Sequence, residues 1–245
     1  MLRLTTFVIS HFSEKARWAL DYEGIAYEER SLLPGPHLLV TRRLAQASTV
    51  PILEDGSRVI QGSSEILDYM GASLGATRLL PLYALAESRE LEALADHALG
   101  LGVQRISYDV LLQQRSTMID LWAQRGPAWA KPFYALTLPA LVPAVRHLYG
   151  VRPDAVARAK QRFREAIGTF DQALSGRRYF GEGAPNRLDI TVAALLGPFC
   201  RPPEHRVNWP LIPALSAFTA EFEGSRTFQH AREMYRMHRS APKRP

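Results

Sequence analysis

Ser10-His11-Phe12-Ser13 separates the apolar run Leu2 to Ile9 from Glu14 to Tyr22, where Ala16, Ala19 and Leu20 fall on one side. The first run has strand length and the second helical spacing, so the two serines lie where a helix begins. A helix N-terminus presents unpaired N–H groups and about half a positive charge. A hydroxyl there can cap the helix, or donate a hydrogen bond to an anion held at the same place. One fitting anion is a thiolate, because such a site lowers a thiol pKa from its reference near ~8.5. Ser10 and Ser13 both suit the cap, and Ser13 is a good N-cap by type. Serine forms no mixed disulfide, so the turn is not expected to exchange disulfides.

Two more segments carry chemistry. In Thr49-Val50-Pro51-Ile52-Leu53 a proline opens a short strand. It cannot donate to a ladder, so it marks either an edge strand or a cis turn. Gln61-Gly62-Ser63-Ser64-Glu65 precedes Ile66, Leu67, Tyr69 and Met70 at helical spacing. Ser63 or Ser64 can cap that helix, and a serine beside helix N–H groups binds a carboxylate well. A plain cap with Glu65 in the first turn fits the same residues.

Other chemistries are absent. No Gly-x-Ser-x-Gly, phosphate loop, His-Glu-x-x-His or paired-cysteine site occurs, and the seven histidines show no metal-ligand spacing. No metal is expected. Cys200 is the single cysteine, which excludes an internal disulfide and suits a reducing compartment. It ends an apolar helix and reads as packing. The net charge of +6 is scattered, except for a tail with Arg226, Arg232, Arg236, Arg239, Lys243 and Arg244. No aromatic platform accompanies the tail, so it reads as a solvated helix and nucleic acid is not an expected partner. The N-terminal apolar run is too brief for a signal peptide. The stretch 132–145, with Pro139 and Pro143, is shorter than the ~20 residues of a membrane helix. The expected setting is cytoplasmic.

The elements that must position these residues follow from period and turn signals. Strands are expected over 2–9, 26–32, 50–54 and 58–61, the last two joined by Asp55-Gly56, a hairpin signal. Helices are expected over 14–22, 37–45 and 63–74. The order is β-α-β-α-β-β-α, with the first two strands parallel. Residues 78–85, with Pro81, read as a linker. Beyond it only helices are expected, over 86–113, 116–124, 134–149, 153–174, 188–200, 211–222 and 227–238. At 47% apolar and 22% charged, 245 residues suffice for a large core or two modest domains.

Together these segments resemble the glutathione transferase superfamily. The turn at Ser10 with Lys15-Ala16-Arg17-Trp18-Ala19-Leu20, the Val50-Pro51 pair and the Ser63-Ser64-Glu65-Ile66 segment carry the likeness. Asn186-Arg187-Leu188-Asp189 adds to it, resembling the family's buried helix start. The resemblance implies a thioredoxin-like domain over 1–77, an all-helical domain over 86–245 and a homodimer. It implies glutathione as co-substrate, its thiolate served by Ser10 with Ser13 as runner-up. It makes the Val-Pro bond cis, with Val50 presenting its backbone to the cysteinyl part. Ser63 would meet the γ-glutamyl carboxylate, with His11, Phe12, Thr49, Pro51, Gly62, Ser64 and Glu65 around the ligand.

Two positions depart from the family pattern. His11 replaces a proline or small residue, and Gly62 replaces an acidic one, so Gln61 or Glu65 would have to meet the ligand's ammonium group. Arg105, Tyr108 and Arg115 are candidates for a pocket that takes a small apolar electrophile, placed only by their position in or near the first long helix. The expected activity is conjugation of the glutathione thiol to that electrophile. The alternative is a non-catalytic protein of the same fold that binds a ligand or a protein partner.

Overall fold

The computed structural model describes residues 1–79 and 86–239. Most of the expected linker, and Lys243 and Arg244 of the basic tail, lie outside them.

Four strands form one sheet: β1 (Leu2–Phe7), β2 (Tyr27–Leu32), β3 (Ile52–Asp55) and β4 (Arg58–Gln61), in the order β2-β1-β3-β4. β1 and β2 are parallel, with Leu2 opposite Tyr27. β3 runs antiparallel to β1, and β4 antiparallel to β3. Three helices belong to this part: α1 (His11–Glu23), α2 (Leu38–Leu44) and α3 (Ser63–Ser73). α1 begins three residues earlier than its apolar spacing indicates. Ser10, with extended backbone, accepts from the Ser13 N–H at 3.1 Å, so Ser10 is the cap and Ser13 lies inside the first turn. Gly24, at φ +72°, closes the helix in the left-handed conformation glycine tolerates.

The remainder is helical: α4 (Ala86–Leu94), α5 (Leu101–Leu111), α6 (Arg115–Trp122), α7 (Ala130–Leu148), α8 (Pro153–Ala173), α9 (Arg187–Cys200), α10 (Pro213–Thr219) and α11 (Arg226–His238). The single helix expected over 86–113 is interrupted by a π-helical segment, Ala95–Gly100, between α4 and α5. Apolar spacing does not reveal such a bulge, because tertiary contacts set where it falls. α7 contains Pro139 and Pro143. A proline at 139 removes the amide that would bond the Ala135 carbonyl. Arg115 donates to that carbonyl from α6 instead.

α9 is buried along nearly its whole length and packs against α1 and α11. Its start is a capping box. Asn186 accepts from the Leu188 and Asp189 N–H groups, and Asp189 accepts from the Asn186 N–H. Around Phe163 the rings of Phe199, Phe218, Phe222 and Phe228 meet at 5.2 to 6.4 Å.

Two buried ionic networks tie α1 to the helices. Lys15 Nζ donates to Ser64 Oγ at 2.7 Å and to Asp96 at 2.8 and 3.0 Å, and it pairs with Glu92 at 3.0 Å. Arg187 continues the network to Glu92 and Asp68. On the other side Glu14 bonds Arg17 at 2.5 Å and Arg239 at 2.7 Å, while Trp18 Nε1 donates to the His238 carbonyl. These partners hold the Glu14 carboxyl below the carboxylate range despite full burial.

Candidate functional site

A cavity of about 640 Å³ opens between the sheet domain and the helices. Its polar end is built from three local structures. The first is the capped start of α1, where half-buried Ser10 faces the space. The second is Thr49-Val50-Pro51, with a cis Val50-Pro51 peptide bond. Val50 lies outside the strands, and among the described residues its N–H and C=O enter no backbone hydrogen bond.

The third is the start of α3. Gly62 precedes it at φ +108° and supplies no side-chain cap, so the first-turn N–H groups are unsatisfied where Ser63, Ser64 and Glu65 line the cavity. An uncapped N-terminus of this kind attracts an anion. The Glu65 carboxylate folds back over Gly62 into the space where a side chain at 62 would begin. Gln61 does not contribute a free group. Its amide is spent on the Ala47 backbone and on the carbonyl and hydroxyl of Thr49.

Other expected residues have different surroundings. Ser13 is fully buried and does not line the cavity. His11 and Phe12 line it but also close the seam between the two parts. The His11 Nε2 lies 3.0 Å from the Gly100 carbonyl, and the Phe12 ring fills the space a side chain at 100 would need. Burial pushes the His11 pKa down to about 4, so the ring is neutral near pH 7 and donates that bond. Ser64 lines the cavity, while its hydroxyl bonds Asp96 and accepts from Lys15.

The rest of the lining is largely apolar, with Leu101, Val103, Leu111, Met118, Trp122, Leu148 and Trp209, and also carries Gln104 and Ser107. Of the three pocket candidates, the structure brings only Tyr108 into the lining. Arg105 faces away and donates from Nε to the Tyr149 carbonyl at 3.0 Å. Arg115 is exposed and occupied by Ala135.

Sequence reading missed Asp96, His37 and Tyr149. Asp96 reaches the cavity through the π segment. His37 accepts the Gly35 N–H at 3.0 Å, and burial lowers its pKa. None of the three has a local signal, since each is brought to the cavity by contacts distant in sequence. Glu65 and Asp96 are the carboxylates of the lining, and no lysine or arginine is part of it among the described residues. The arrangement suits a ligand whose carboxylate meets helix N–H groups and whose ammonium meets Glu65, with an extended segment along Val50 and a reacting atom beside Ser10.

Comparisons with known proteins agree on the fold. Residues 4–75 match the family model "Glutathione S-transferase, N-terminal domain". No curated protein matches the chain in sequence. Among solved structures, a glutathione S-transferase of Ceriporiopsis subvermispora, in complex with glutathione, is 15% identical. It covers 99% of each chain at a TM-score of 0.66. The beta-etherase LigF of Sphingobium sp. strain SYK-6 is 17% identical, covering 95% of this chain and 98% of its own at 0.61. A glutathione S-transferase of Methylobacterium radiotolerans, in complex with glutathione sulfonate, is 16% identical, covering 94% and 93% at 0.57.

Proposed function

We propose that this chain, which carries the N-terminal domain and the overall fold of the glutathione S-transferases, binds glutathione and conjugates its thiol to a neutral electrophile. The carrying observation is the convergence of the Ser10 hydroxyl, the free Val50 backbone and the uncapped start of α3 on one cavity.

The γ-glutamyl carboxylate takes the N–H groups and hydroxyl at Ser63, and Glu65 takes the ammonium. The cysteinyl part pairs with the Val50 N–H and C=O. Ser10 accepts the Ser13 N–H through its oxygen, which leaves its proton to donate to the sulfur. That bond and the N-terminus of α1 favour thiolate over thiol. Holding the thiolate against a bound electrophile supplies the remaining acceleration. His11 and Phe12 act by fixing the helix start against Gly100. The reading places the protein in the cytoplasm as a homodimer.

Titration calorimetry with glutathione, with thiolate absorbance followed against pH in the complex, tests it. Binding at millimolar glutathione with a thiol pKa below that of free glutathione is expected. Absence of binding there refutes it. One observation favours a non-catalytic binder of the same fold: among the described residues no lysine or arginine lines the cavity to hold the second carboxylate of glutathione. Glutathione binding with an unshifted thiol pKa decides for that alternative.

A further inference from the structure

Between Glu29 and Glu54, and again between Asp120 and Asp154, the sequence has no Asp or Glu. The first stretch carries Arg30, Arg42 and Arg43, and the second Arg125, Lys131, Arg146 and Arg152. The fold packs the two stretches together. Tyr134 of α7 donates to the Pro34 carbonyl at 2.7 Å, and Leu141 lies against Gly35. Asp120, at the border, is taken up by Lys131 at 2.8 Å.

α7 buries Tyr134 and Leu138 and turns a second apolar face outward. Pro132, Leu136, Pro139, Ala140 and Pro143 are exposed at spacings of three and four, which places them in one stripe along the helix. Leu136 is 82% exposed, and Leu148, at the end of the helix, 66%. Leu39 of α2 is 72% exposed, with Arg42 and Arg43 exposed beside it on the next turn. Trp129, at the start of α7, is the exposed one of the four tryptophans and meets Phe133 edge-on at 5.8 Å. Single exposed leucines are ordinary, whereas a continuous apolar face marks an interaction site. Among the described residues no helix is long and apolar enough to cross a membrane. A helix with one face packed and the other apolar can instead lie along a lipid surface.

We propose that this face docks peripherally on an anionic lipid surface. The α7 stripe and Leu39 enter the headgroup boundary, and Arg42, Arg43 and Arg125 meet the lipid phosphates. Charge complementarity carries the choice of partner. A second copy would bring the same carboxylate-free, basic rim against this one, and like charges repel there. Anionic headgroups attract it instead. Trp129 has the amphipathic ring that settles at headgroup level. Ala144 and Leu148 are exposed and also line the cavity, so its mouth opens on the docked face. The proposal does not depend on what the cavity binds.

The full chain is tested by flotation and tryptophan emission with vesicles of phosphatidylcholine alone and of equal parts phosphatidylcholine and phosphatidylserine. Binding to the mixed vesicles is expected to be at least about tenfold tighter than to the neutral ones. It should weaken with salt and shift the Trp129 emission to the blue. Leu136→Gln changes no charge and is expected to weaken binding about tenfold. Leu39→Gln does the same and serves where Leu136→Gln fails to fold. Arg42→Glu is expected to weaken binding about tenfold, whereas Arg162→Glu, exposed on α8 and in neither stretch, leaves it unchanged. No binding, or equal binding to both vesicles, overturns the proposal. Equal losses in Arg42→Glu and Arg162→Glu overturn it, because attraction to net charge alone then explains the binding. Unchanged binding in both glutamine variants overturns it too. A dimer that Leu136→Gln dissociates, without vesicle binding, assigns the face to a second copy and overturns the lipid reading.

Discussion

The Glu65 carboxylate lies over Gly62, in the space where a side chain at position 62 would begin. An acidic group thus reaches the start of α3 from the helix's own first turn, and the glycine keeps the space open for it. Glu65→Gln is expected to raise the glutathione Kd about tenfold, the effect of losing one charged hydrogen bond. Gly62→Ala is expected to weaken binding as well and to cost about 1–2 kcal/mol of stability, because φ is +108° there. Calorimetric titration and urea unfolding read the two effects. Unchanged affinity in Glu65→Gln removes Glu65 from the ligand.

Ser10 is both a helix cap and the proposed donor to sulfur. Ser10→Ala should cost about 1 kcal/mol in stability through the lost cap and lower kcat about 100-fold through the lost donor. Ser10→Asp retains a capping acceptor and places a negative charge beside the thiolate, so it should recover stability without recovering rate. Steady-state kinetics beside thermal unfolding separates the roles. Full activity in Ser10→Ala removes the donor role.

His11 and His205 are buried, and burial lowers both pKa values to about 4. The unfolded chain titrates near ~6.5 and so binds more protons than the native state between there and pH 4. Stability should therefore fall as pH drops from about 6.5 to about 4, beginning above the range in which paired carboxylates such as Glu14 lose theirs. His11→Gln, which keeps a donor toward the Gly100 carbonyl, should flatten the first part of that decline. A profile flat between pH 6.5 and 5 would show that the histidines are not buried neutral.

Lys15 is fully buried between Ser64, Glu92 and Asp96. Lys15→Met fills similar volume but leaves Asp96 without its cation, while Glu92 keeps Arg187, with an expected loss of about 3 kcal/mol. Denaturant unfolding measures it, and a loss under about 1 kcal/mol would show that water replaces the ammonium group. Since Asp96 and Ser64 line the cavity, the variant should also weaken glutathione binding.

The order of strands and helices in the first 75 residues was legible because it depends on neighbours. Alternation, the Asp55-Gly56 turn, and caps such as Ser10 and Asn186 act within a few residues. The same locality marked Ser10, Val50-Pro51 and the start of α3. What only the tertiary structure decided are relations between distant residues. Arg115 replaces an amide that Pro139 removes 24 positions on. Lys15 meets Asp96 across 81 positions, and Arg105 braces Tyr149 across 44. Each side chain alone reads as a solvated charge. Its role comes from packing that buries it beside a specific partner, and no local spacing encodes that burial.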